Sequence, residues 1–168
     1  MATETKLRQL ADKECPVYYF YSSERYLVRQ AVTAITRILT ADSDEDATVL
    51  DGAAPEIEQL IMAAGTISFF GTRRVVVLPE IDPAAYSDKD LEELNSTLSS
   101  LENAVVVLGS VFKLERSKLK TGKRAQKLIA QCKALGYTEE LAKPKPFELK
   151  MMMIDRAKEQ KTTLPDGA

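Results

Sequence analysis

Histidine is absent from the 168 residues of this chain. It is the usual proton carrier near neutral pH and the commonest metal ligand, so its absence removes Ser-His-Asp catalysis, Cys-His catalysis and histidine-ligated zinc together. An enzyme built on this chain would have to use carboxylates, lysines or a borrowed cofactor. Cysteine is nearly as scarce. Cys15 and Cys132 are too few for a disulfide framework or a four-thiolate zinc site, and both read as reduced structural residues. Long apolar runs are missing too: the longest are four or five residues, such as Val75-Val76-Val77-Leu78, against the roughly 20 that a membrane-spanning helix needs. The polar start, Met1-Ala2-Thr3-Glu4-Thr5-Lys6-Leu7-Arg8, has no apolar h-region of a secretory signal. A cytoplasmic location with no membrane partner is the expectation.

What is present is an alternation of short apolar runs and amphipathic stretches. With 45% hydrophobic and 29% charged residues, the length suits one globular domain, or one plus a fragment. A first helix is expected from Thr5 to about Glu14, ended by Pro16, because the residue before proline is pushed out of the helical region. Val17-Tyr18-Tyr19-Phe20-Tyr21 is β-prone and apolar throughout, as a strand buried on both faces should be. Ser22-Ser23 is expected to cap a helix from Glu24 to Leu39, whose apolar residues recur at three- and four-residue spacing. Thr48 to Asp51 reads as a second strand, and Pro55 opens a helix on Ile57, Leu60, Ile61 and Ala64, ended by Gly65. Arg74 to Leu78 is strand three, closed by Pro79. Ser87, with Asp90 three residues on, makes a capped start for a helix carrying Leu91, Leu94, Leu98 and Leu101. Strand four, Ala104 to Leu108, is expected to end at Gly109. A basic loop from Lys113 then leads to a helix through Ala125, Leu128, Ile129 and Leu135, stopped by Gly136 at the C-cap position, and a short fifth strand is placed at Tyr137 to Leu141.

Five strands separated by helices indicate an α/β domain, residues 1–142, with a parallel five-stranded sheet flanked by helices and right-handed crossovers. Lys143-Pro144-Lys145-Pro146 reads as a linker, and Phe147 to Gln160 as a helix opening a second, helical domain within residues 143–168. About twenty residues cannot bury a core of their own, so that domain is expected to be completed elsewhere.

The junction after strand one is where a phosphate-binding loop would lie in such a sheet. It reads Tyr21-Ser22-Ser23-Glu24-Arg25-Tyr26, with no glycines to let backbone N–H groups wrap a phosphate and with a carboxylate that would repel one. The pair Gly122-Lys123 has Ser117 where the leading glycine should be and no strand directly before it. Leu78-Pro79-Glu80 has a faint likeness to the acidic end of a nucleotidase strand, but the proline and the missing loop favour a surface carboxylate.

Charge is uneven. Residues 1–110 carry 9 basic and 18 acidic side chains, whereas residues 111–168 carry 14 and 7. The basic excess is densest at Lys113, Arg116, Lys118, Lys120, Lys123, Arg124 and Lys127, opposed there only by Glu115. Such a stretch is a candidate contact for nucleic acid or an acidic partner protein, while pattern alone favours a solvated loop and helix face. A second unusual segment is Thr66-Ile67-Ser68-Phe69-Phe70-Gly71-Thr72-Arg73-Arg74. Continuing the preceding helix at about 100° per residue from Ile61 puts Phe69 roughly 80° and Phe70 roughly 180° from the core-facing line. That would set an aromatic pair outside, although Gly65 can break the helix and phenylalanine is more often a core residue.

Val17-Tyr18-Tyr19-Phe20-Tyr21-Ser22-Ser23-Glu24-Arg25-Tyr26-Leu27, the helix ending at Ala63-Ala64, then Ser68-Phe69-Phe70-Gly71-Thr72-Arg73-Arg74-Val75-Val76-Val77-Leu78 and Val105-Val106-Val107-Leu108 resemble the N-terminal part of the bacterial DNA polymerase III delta subunit family. The resemblance runs over nearly the whole chain, and its most specific piece is the small-aromatic-aromatic-Gly segment followed by Arg and an apolar strand. It implies an AAA+/RecA-like fold without a functional P-loop, no cofactor and no catalysis of its own, since DNA-directed DNA polymerase activity in such a holoenzyme resides in other subunits. It implies a mechanical role: hydrophobic residues at a tip, matched here by Ile67, Ser68, Phe69 and Phe70, hold open the ring-shaped sliding clamp, the beta subunit. The implied partners are that clamp, the gamma/tau and delta prime loader subunits, and primer-template DNA. The family continues into a C-terminal collar domain that follows the residues matched here. The alternative kept beside this reading is a degenerate P-loop-like nucleotide-binding protein or hydrolase.

Overall fold

A computed structural model describes residues 7–9, 15–41, 46–65 and 73–142 of the chain. The elements are β1 (Val17–Ser22), α1 (Arg25–Thr40), β2 (Thr48–Val49), α2 (Ile57–Gly65), β3 (Arg74–Leu78), a 3-10 turn (Pro83–Ala85), α3 (Asp88–Ser99), β4 (Ala104–Val111), β5 (Lys113–Glu115), β6 (Lys118–Lys120), α4 (Gly122–Leu135) and β7 (Tyr137–Glu140). Five strands form one sheet in the order β2-β3-β4-β1-β7, and every pairing in it is parallel. β5 and β6 form a separate antiparallel pair.

Period-two alternation divides the apolar strand residues between two cores. Tyr19, Val76, Val106 and Leu108 face one side, where they meet Leu60 of α2, Leu94 of α3 and Leu128 of α4. Tyr18, Phe20, Val75, Val77, Val105 and Val107 face the other, against α1. Helices therefore cover both faces, which is why β1 and β4 read as unbroken apolar runs. Two hydroxyls carried into this interior satisfy each other and the backbone: Ser110 donates to the carbonyl of Ile81 at 2.8 Å, leaving Tyr19 to donate to Ser110 Oγ at 2.7 Å.

Three expectations about elements are corrected. The serine pair does not cap α1: Glu24 is the N-cap and makes no side-chain cap bond, because Ser22 is drawn inward as the last residue of β1. β4 does not end at Gly109 but runs to Val111. A Cβ at position 109 would collide with the carbonyl oxygen of Pro79, so glycine serves here for close approach and not as a stop. Gly136 is the C-cap of α4 as expected, its N–H donating to the Cys132 carbonyl at 2.8 Å, and a Cβ there would strike the Val17 carbonyl oxygen. The basic stretch is a β-hairpin, since Leu114 and Leu119 alternate with charged residues at strand spacing. Ser87 caps α3 as expected, its Oγ accepting from the Asp90 N–H at 3.1 Å. The helix expected from Phe147 and its linker lie outside the described residues, as does most of the helix expected at Thr5 to Glu14, of which residues 7–9 are helical and Leu7 is buried.

Candidate functional site

In an open parallel sheet, ligands are met at the carboxyl ends of the strands. Here that end is closed by the chain itself. Ser22 is buried, its hydroxyl donating to the Leu141 carbonyl at 2.6 Å and accepting from the Glu24 N–H at 3.1 Å. The hydroxyl that a phosphate loop would offer to ligand is therefore spent on tying the end of β1 to the residue after β7. Arg25, the first residue of α1, donates from Nε to Glu80 at 2.6 Å, joining the carboxyl ends of β1 and β3. Their side chains are 58% and 40% exposed, so the pair contributes little stability, about 0–1 kcal/mol, but it sets a carboxylate and its own cation where a nucleotide's phosphates would need cations alone. Glu80 is thus the surface carboxylate expected.

The basic stretch leaves the same end of the sheet. Phe112 is buried, donates its N–H to the Ser22 carbonyl at 2.8 Å, and packs edge-on against Tyr21 with ring centroids 6.0 Å apart. That fixes the first foot of the hairpin. Beyond it Lys113, Arg116, Lys118 and Lys120 are all exposed, as are Lys123 and Lys127 on α4. Arg124 differs from the rest: its Nε donates to Asp88 at 2.9 Å and its Nη1 to the Ala84 carbonyl at 3.3 Å, so it clamps the start of α4 to the start of α3. Sequence reasoning grouped it with the patch because charge along the chain does not show a partner 36 residues away.

Ile67, Ser68, Phe69 and Phe70 lie outside the described residues. The helix that leads to them corrects the projection made from it. Ile61 is 52% exposed, and the core-facing residues of α2 are Ile57 and Leu60, so the reference line moves by one residue. Ile61 and the neighbouring Met62, 72% exposed, put an apolar side on the surface of α2 just before the segment, a feature the residue spacing alone had assigned partly to the core.

Burial suppresses ionisation of the groups inside. Desolvation pushes Cys132 up to about 12 and Tyr18 and Tyr86 to about 12. Both cysteines are free, and Cys132 is a buried, protonated packing residue, not a nucleophile.

The sequence model of the family DNA polymerase III, delta subunit, matches residues 18–135, well over half of the chain. The DNA polymerase III subunit delta of Bacillus subtilis (strain 168) is 28% identical over 137 residues, covering 74% of this chain and 39% of the relative, so the chain spans well under half of that relative's length. A crystal structure of a DNA polymerase III gamma subunit-related protein from Thermotoga maritima superposes with a TM-score of 0.62 at 15% identity, over 94% of this chain and 52% of the other. A DNA replication initiation factor superposes with a TM-score of 0.50, also at 15% identity, over 97% and 50%. These two show the fold, the AAA+-like three-layer sheet that the resemblance implied. With the match extending from within β1 to the end of α4, the chain belongs to the DNA polymerase III delta subunit family.

Proposed function

We propose that this chain is the clamp-binding part of a delta-type clamp-loader subunit, holding open one interface of a ring-shaped sliding clamp without hydrolysing ATP itself. The contact is the segment Ile67, Ser68, Phe69 and Phe70, and the assembly partners are gamma/tau and delta prime subunits around primer-template DNA. The observation that carries this reading is the family match over residues 18–135, which spans that segment. Two features of the fold support it. The Arg25–Glu80 pair and the inward Ser22 hydroxyl occupy the sheet end that a nucleotide would need. The exposed Ile61 and Met62 give α2 an apolar surface leading into the phenylalanines.

A protein that works on another protein without an active site needs anchors, and large apolar side chains seated in a partner's pocket are the usual ones. Fully burying each phenylalanine contributes about 1.5–3 kcal/mol, so removing both costs about two to four powers of ten in affinity where the terms add. Phe69→Ala/Phe70→Ala is therefore expected to abolish capture of the cognate clamp in a pull-down or by surface plasmon resonance, with thermal unfolding near wild type. A variant that melts several degrees earlier, or still captures the clamp, would overturn the assignment.

A further inference from the structure

The β5–β6 hairpin has a charged face and an apolar face. By its register Lys113 stands opposite Lys120 and Glu115 opposite Lys118, all four on one side, with Leu114 opposite Leu119 on the other. Two like charges placed directly across a ladder destabilise it. Glu115 offsets this only in part: its carboxylate is 3.8 Å from the Lys120 ammonium, with both side chains more than 60% exposed, a distance and exposure at which an ion pair contributes little. Lys113, Arg116 and Lys118 make no ion pair with any described residue.

The turn adds a second local cost. Arg116 and Ser117 have φ of 52° and 67°, the left-handed region that a two-residue hairpin loop requires and that glycine or asparagine would occupy with less strain. Arginine at the tip keeps a cation where local geometry favours another residue. The first foot is held by the buried Phe112 on Ser22, and beyond the second foot Arg124 reaches Asp88 in an exposed pair. The ribbon is thus pre-positioned, self-repelling and strongly cationic, on a chain whose first 110 residues are twice as rich in acid as in base.

We infer that this hairpin is a phosphate-backbone contact for duplex DNA. A polyanion set between Lys113 and Lys120 converts their repulsion into two favourable contacts. Lysines without interleaved aromatic or amide side chains position phosphates and do not read bases, and a two-stranded ribbon is narrow enough for the major groove. The acidic remainder of the chain repels the same polyanion, which confines the contact to this end. The choice of DNA over an acidic protein rests on the replication reading above.

Fluorescence anisotropy of a labelled 20-base-pair duplex with the 168-residue chain tests the inference. With four cations engaged, the slope of log affinity against log salt is about −3.6, a fall of about 10²-fold between 50 and 200 mM salt. Lys113→Gln/Lys118→Gln/Lys120→Gln is expected to weaken binding at 50 mM salt by at least about tenfold and to cut the slope by about 2.7. The corresponding triple Arg variant should keep both. All three positions are exposed and the change removes a like-charge pair, so the variant should unfold no earlier than wild type. No duplex binding by wild type at 50 mM salt, an unaltered slope in the Gln variant, or equal competition by poly-glutamate would overturn the inference, the last in favour of an acidic protein partner. Clamp capture is measured in parallel: a lysine-dependent DNA slope in a chain that captures no clamp would sink only the clamp reading, and the converse only this one.

Discussion

β4 and the β5–β6 hairpin are both β-structure, separated along the chain by Phe112 alone, yet they are held by different physics. Every residue of β4 from Ala104 to Ser110 is buried, and the strand is paired on both edges, with β3 and β1. The hairpin pairs only with itself, and five of its six strand residues are exposed. An isolated hairpin is marginal in water; this one leaves the sheet from the buried Phe112, whose N–H is bonded to the Ser22 carbonyl. Position in the sheet, not strand propensity, separates a residue that the fold depends on from one that is available to a partner.

Leucine provides the sharpest break in that comparison. Leu108→Ala, in the middle of β4 with no exposed surface, should cost about 2–5 kcal/mol in urea unfolding. Leu114→Ala, 57% exposed on the hairpin, should stay within about 0.5 kcal/mol of wild type. Comparable losses at the two sites would mean that the hairpin is part of the core and not a free ribbon.

Alkali should act on the buried core. Tyr18 and Tyr86 are raised from 10.0 to about 12, and Cys132 from 9.0 to about 12, all chiefly by burial. For groups whose folded value is raised, the stabilisation is whole below the unfolded value and is lost as pH climbs toward the folded one. Stability should hold up to about pH 9 and then fall between 9 and 12, measurable by circular dichroism in a denaturant series at each pH. Cys132→Ala should flatten the first part of that fall. A curve already declining at pH 7 to 8 would point to a different titrating group.

The smallest effect is at the turn. Arg116→Asn/Ser117→Gly supplies residues suited to positive φ and is expected to raise stability by about 0.5–1 kcal/mol, read as a higher urea midpoint with unchanged slope. No gain would mean that the left-handed pair is not strained in the folded chain.

The fold was legible in the sequence to the extent that each strand and helix carries its own pattern. The unbroken Val17 to Tyr21 and Ala104 to Leu108 runs require burial on two faces, and that in turn requires helices on both sides of a parallel sheet. The missing glycines after β1 exclude a phosphate wrap on residue type alone. The hairpin was not legible, because Lys-Leu-Glu and Lys-Leu-Lys are too short and too polar to stand out from a solvated loop. Nor was the orientation of Ile61, since one residue of error in the core-facing line of a nine-residue helix turns its surface by about 100°.

By itself, then, the sequence determined the alternation of elements, the parallel sheet and the exclusion of histidine chemistry, because these depend on residue type and local spacing. Only the tertiary structure decided what long-range partners do: that Glu80 belongs to Arg25, that Arg124 belongs to Asp88 and not to the basic patch, and that Gly109 and Gly136 are glycines because the backbone at Pro79 and at Val17 passes against them. Those choices join residues 36 and 55 positions apart or turn on a Cβ that would meet a distant carbonyl, and neither has a signature in the local pattern of the chain.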